Sequence, residues 1–143
     1  MSKKYKGLNK LKGRIQKAGR SLSNEYDRET QKAALVARNA AIQRVPVDKG
    51  QLKQSISFNR KGKSFYRLSA QMPYAVFQEF GTGYSIQVPT DIDAKLRRIG
   101  LEHKFCSTMQ SNGIKPKLFM TAGYRVARSY LKVKMQQIVD KNR

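Results

Sequence analysis

One helical pattern, and the proline that ends it, constrains this chain most. Over residues 21–45, Leu22, Tyr26, Ala33, Ala37, Ala40 and Ala41 recur at spacings of three, four and seven, which places them on one helix face. Ser21, Ser23 and Asn24 are capping candidates, and Glu25, Asp27 and Glu29 follow where a helix dipole favours negative charge. Pro46 stops the pattern, because it supplies no amide donor and disfavours helical geometry at Val45. The alanine stripe allows a close approach to a sheet.

After the proline the periodicity changes. Residues 45–50 form a turn, and Leu52, Ile56 and Phe58 then fall on near-alternate positions of a first strand. Residues 59–63, with Gly62, make the next turn. Residues 64–71 alternate Tyr66, Leu68 and Ala70 with polar neighbours, and residues 74–80 supply a third apolar, aromatic run. Two or three antiparallel strands are therefore expected. Within residues 89–116, Ile92, Leu96 and Ile99 suggest one short helix in a long connection that reaches outward as a lobe. A last helix over residues 118–138 would bury Ala122, Val126, Leu131, Met135 and Ile138 and expose Arg125, Arg128, Lys132 and Lys134. The expected class is α+β: a small antiparallel sheet flanked by a long N-terminal helix and a C-terminal helix, with an insertion around 85–115.

Charge sets the partners. The 143 residues carry 30 Lys plus Arg against 9 Asp plus Glu, a net charge of +21, on a length suited to one domain. Lys3, Lys4, Lys6, Lys10, Lys12, Arg14, Lys17 and Arg20 fall in residues 1–20 with no acid among them, so that segment is expected to be a basic arm outside a 21–143 domain. Arg60, Lys61 and Lys63 add a second basic cluster, and Arg125, Arg128 and Lys132 a third. These side chains are candidates for contact with nucleic acid or an acidic partner. Charge alone gives sequence-independent, salt-sensitive binding, and no base-reading motif accompanies it. The longest apolar run, residues 33–37, is far too short to span a membrane, and the N-terminus has no signal-peptide core. With Cys106 alone, no intrachain disulfide forms, which fits a reducing compartment.

Catalytic constellations are weak. His103 and Cys106 are three apart but lack an orienting third group or further metal ligands. Asp91, Asp93 and Glu102 could gather a hard cation, yet beside Lys95, Arg97 and Arg98 they are better explained as ion pairs or a helix start. Nothing brings Asp48 and Glu79 together for acid–base work. Gly81-Thr82-Gly83 is too short to cradle a phosphate and is instead a sharp reversal. No enzymatic activity, metal or cofactor is expected.

Three ordered motifs do carry a resemblance. Residues 40–56, AAIQRVPVDKGQLKQSI, contain Pro46, Asp48, Gly50, Leu52, Ser55 and Ile56 in the pattern Pro-Val-Asp-x-Gly-x-Leu-x-x-Ser-Ile. Residues 73–83, PYAVFQEFGTG, place Tyr74, Ala75, Glu79, Phe80, Gly81, Thr82 and Gly83 in a second, read as a strand and turn. Pro116 and Phe119 mark the entry into the last helix. Together they resemble the tailed-bacteriophage tail-component family, similar to the minor tail protein Z group. The arm at 1–20 lies outside the resemblance, and the stretch from 85 to 113 is longer than the family's usual link.

The resemblance implies a structural virion protein of the neck, involved in head–tail joining or tail completion. Its copies would form a homo-oligomeric ring, a hexamer or dodecamer, between portal or connector and tail around the DNA channel. Its place would be the virion, reached through the host cytoplasm during assembly. The alternative is a sequence-independent nucleic-acid-binding protein that uses the same basic side chains on phosphates.

Overall fold

A computed structural model describes residues 3–47, 50–106 and 113–142, with side-chain surroundings excluded at 3–6 and 106. Asp48, one of the motif residues, lies outside the described residues.

The chain opens on α1 (Lys3–Arg44), a single helix of 42 residues and about 60 Å in length. It begins well before the expected caps at Ser21, Ser23 and Asn24, because residues 3–20 hold no proline and their Lys, Arg, Leu and Gln outweigh the three glycines in helix preference. The basic arm is thus the first part of α1. Its end falls where Pro46 requires.

The expected first strand starts later than its apolar spacing suggested. Gly50, at φ +69°, opens the short helix α2 (Gln51–Ser55), and the Ser55 hydroxyl donates to the Leu52 carbonyl at 2.8 Å to close it. Then β1 (Ile56–Gly62) and β2 (Phe65–Ala70) form one antiparallel pair, with Ile56 opposite Ala70, Phe58 opposite Leu68 and Arg60 opposite Tyr66. A bulge between Arg60 and Gly62 absorbs Lys61, and the reversal falls at Lys63 and Ser64.

The third strand is not formed. Residues 75–80 are instead a helix, α3 (Ala75–Phe80), which buries Ala75, Glu79 and Phe80 at a spacing of four and one. The aromatic composition that favoured a strand is overridden by tertiary burial of those three positions. Next come α4 (Ala94–Cys106) and α5 (Phe119–Lys141). Ile92 is buried before α4, and the Asp93 carboxylate accepts from the amides of Lys95 and Leu96 at its start.

Two layers make the core. Ala41, Val45, Leu52, Ile56, Ala75 and Phe119 form a buried cluster, and Ile42, Leu68, Ala70, Met72 and Met120 pack against it. α5 runs along α1 at close range: a Cβ on Gly123 would stand 2.6 Å from the Ala37 carbonyl oxygen, so only glycine fits that crossing. The alanine stripe is therefore spent on a helix as much as on the sheet. Val126, expected inside, is 43% exposed, while Tyr130 turns inward to donate to Glu29 at 2.9 Å. Lys134, expected outside, is half-buried with its ammonium over the Tyr130 ring.

Candidate assembly surface and its supporting motif

Glu79 explains the second motif. Its side chain is only 2% exposed. Oε2 accepts from the Met120 amide at 2.7 Å, and Oε1 accepts from the Thr121 amide at 2.9 Å and the Thr121 hydroxyl at 2.6 Å. A helix leaves its first amides without intrahelical partners, and here a carboxylate from another helix satisfies them. Local capping is absent at α5: Leu118 sits at its N-cap with φ +49° and offers no side-chain acceptor. Burial pushes the Glu79 carboxyl above the ordinary carboxylate range, opposed by the Thr121 hydroxyl and the Met120 and Thr121 amides.

The rest of the motif fastens the same junction. Phe80 fills the core beside Gly100, where an added Cβ would stand 2.8 Å from the Phe80 ring. Gly81, at φ +81°, lies against the Ile114 carbonyl and Pro116, and a Cβ there would stand 2.7 Å from that oxygen. The Thr82 hydroxyl accepts from the Ile114 amide at 2.7 Å, and the Thr82 amide donates to the Ile114 carbonyl at 2.9 Å. The amides of Lys117 and Leu118 donate to the carbonyls of Gln78 and Glu79. Gly83, at φ +60°, completes the reversal expected of the two glycines. Tyr74 caps the start of α3 without a side-chain bond, Pro46 is half-buried and Phe119 is fully buried.

The insertion packs back at its base. His103 on α4 lies edge-on to Phe77, and its Nε2 donates to the Gly81 carbonyl at 2.8 Å. His103 is thus a helix residue bound to backbone. Beyond it, exposed apolar side chains stand among charged ones: Phe105 is 96% exposed, Leu101 half-exposed and Tyr84 largely exposed. Among the described residues, no group of His, Cys, Asp and Glu could hold a metal ion.

The early acids of α1 do not serve a helix start, since they sit in the middle of the helix. They hold other elements to it. Asp27 accepts from the Ser64 amide at 2.6 Å and pairs with Arg60 at 2.8 Å, which fixes the hairpin tip and the left-handed Ser64. Glu29 accepts from Lys32 and Tyr130, and the Lys32 ammonium draws its carboxyl below the ordinary range. Glu25 meets Lys141 at 3.4 Å. At the far end, Arg125 grips Asp91 with two bonds of 2.8 and 2.6 Å, which lowers the Asp91 carboxyl. Arg98 pairs with Glu102. The three acids weighed as a cation cluster thus form two ion pairs and one helix cap.

These contacts arrange the basic side chains. Lys10, Lys12, Arg14, Lys17 and Arg20 are all exposed on the projecting half of α1, whereas the side chains of Lys3, Lys4 and Lys6 lie outside what is described. The hairpin tip, with Arg60, Lys61 and Lys63, reaches α1 at Asp27, close to where that projection begins. Arg128 and Lys132 lie exposed along α5, whereas Arg125, one turn before Arg128, is held by Asp91. The arm and hairpin tip are thus brought towards one end of the molecule, and Arg125 is kept away.

A family model described as "Bacteriophage HK97-gp10, putative tail-component" matches residues 9–81. The chain belongs to this HK97-gp10-like family. The match takes in α1 from Asn9, the hairpin and α3, and it closes on Gly81, the residue wedged against Ile114 and Pro116. It therefore includes residues 9–20, which were expected to lie outside the resemblance. Membership makes this a bacteriophage tail-component protein, a structural part of the virion. No curated protein and no solved structure matches the chain. No helix among the described residues is long and apolar enough to cross a membrane.

Proposed function

We propose that this HK97-gp10-like protein is a head–tail joining or tail completion protein of the phage neck. Its copies close into a ring, a hexamer or dodecamer, between portal or connector and tail around the DNA channel. The family match carries the reading. Two features of the molecule support it. The β1–β2 hairpin is a two-stranded sheet whose outer edges can each accept a neighbouring strand. Phe105, Leu101 and Tyr84 give the insertion an apolar surface suited to a subunit contact. Head-to-tail contacts between two such different surfaces close into a ring when the rotation permits.

On this reading, the net charge of +21 belongs to the assembly. Copies so basic repel one another unless acidic neighbours, DNA phosphates or salt offset them. Lys61, Lys63, Arg128 and Lys132 are exposed and able to face DNA in transit without reading its sequence. The reading is tested by imaging purified protein, alone and with its portal and tail preparations, by two-dimensional class averaging. Closed rings at the junction support it, and particles that never join either preparation overturn it.

A further inference from the structure

The projecting half of α1 combines an apolar stripe with a wholly basic surround. Leu8, Leu11, Ile15, Ala18 and Leu22 alternate at spacings of three and four, the a and d positions of a heptad pattern. Leu8 is 61%, Leu11 53% and Ile15 64% exposed, so the stripe is uncovered over two turns or more. Lys12 and Arg14 occupy the e and g positions beside the stripe, where a paired helix selects its partner by charge.

Gly7, Gly13 and Gly19 add a second observation. All three lie off the stripe, and an added Cβ on any of them would meet no atom within 4 Å. Packing inside this chain therefore does not require them, and each weakens the helix that contains it. An amphipathic helix gains most of its stability from covering its apolar face. This one has its face turned to solvent.

The charges decide among occupants. Duplex DNA would satisfy the lysines and leave Leu8, Leu11 and Ile15 in water. A second copy would bring together twice eight basic side chains with no acid between them. We propose that residues 7–22 dock, helix in groove, on an apolar surface of a different protein edged by Asp and Glu. The leucines and Ile15 fill the groove, and Lys12 and Arg14 pair with carboxylates at its rim. The proposal rests on the arm alone and stands whether or not the chain closes into a ring.

The test titrates the full chain with a labelled synthetic peptide of three heptads, Leu at a and d and Glu at e and g. Poly-glutamate of matched charge and a short duplex DNA serve as comparison probes. The wild type is expected to bind the peptide at least tenfold more tightly than poly-glutamate, with a gain in helical circular dichroism. The combined Leu8→Ser, Leu11→Ser and Ile15→Ser variant should lose at least tenfold on the peptide while binding DNA within twofold of wild type. The Lys12→Glu and Arg14→Glu double variant should weaken both. All five positions face solvent, so thermal unfolding of the body should not move and serves as the folding control. Peptide binding within twofold of wild type in the serine variant, or no preference over poly-glutamate, overturns the proposal. So does self-association of the wild type that the serine variant abolishes, since a second copy would then be the occupant.

Discussion

Glu79 and Thr121, 42 positions apart, are joined twice: one carboxylate oxygen receives both the Thr121 amide and the Thr121 hydroxyl. The other oxygen takes the Met120 amide. One side chain on a six-residue helix thereby caps the helix that packs along α1. The motif's acid is a fastener.

Glu79→Ala should destabilise the fold by about 3 kcal/mol, since it strands buried amides and a hydroxyl at the start of α5. Glu79→Gln keeps the shape and one carbonyl acceptor and should cost about half as much. Urea unfolding monitored by circular dichroism measures both. Equal losses in the two variants would contradict the capping account.

The pH dependence follows from burial. Because the folded-state pKa of Glu79 lies above its ordinary value near 4.5, the native state holds that proton more tightly than the unfolded chain. The carboxyl's contribution is therefore fully present below about pH 4.5 and is lost as pH rises through the folded pKa. Unfolding free energies of wild type and Glu79→Gln should be compared from pH 4 to 8. The wild type's advantage should shrink as pH rises; growth over that window would show that capping outweighs burial.

Two glycines stand in opposite surroundings, Gly123 where two helices meet too closely for a side chain and Gly13 in open space. Gly123→Ala should destabilise by about 1–3 kcal/mol, because the methyl would strike the Ala37 carbonyl. Gly13→Ala, in open space on the arm, should raise helical content by about the 1 kcal/mol that separates these residues in a helix. Thermal melts and far-ultraviolet circular dichroism distinguish the two, and a tolerated Gly123→Ala would refute the close crossing.

Asp27→Ala should loosen the hairpin tip with little loss of global stability, about 1 kcal/mol, since Arg60 is half-exposed and solvent screens the pair. Amide exchange at Ser64 should accelerate while the core amides of α5 stay protected. Unchanged exchange at Ser64 would mean that the turn holds itself.

What the sequence disclosed was periodic or chain-local. Pro46 marked the end of α1, the alternation of Tyr66, Leu68 and Ala70 marked β2, and the glycines around Thr82 marked a reversal. The α+β class followed from these. Residues 75–80 misled because Phe77 and Phe80 favour a strand in isolation, whereas the helix exists to bury Ala75, Glu79 and Phe80 together. The roles of Asp27, Thr121 and His103 depend on partners 37, 42 and 22 positions away, and no local spacing signals such pairs. The helical arm was legible only in part: its basic charge was plain, but the glycines at 7, 13 and 19 beside its heptad stripe mimic a linker.

Sedimentation velocity of the full-length protein, at moderate and high salt and with its portal and tail preparations, tests the central claim most directly. A ring-forming neck protein should sediment as a closed oligomer or enter the portal and tail complexes, with Phe105→Ser reducing assembly. A chain that stays monomeric at every salt concentration, shifts free duplex DNA and joins neither preparation would contradict it.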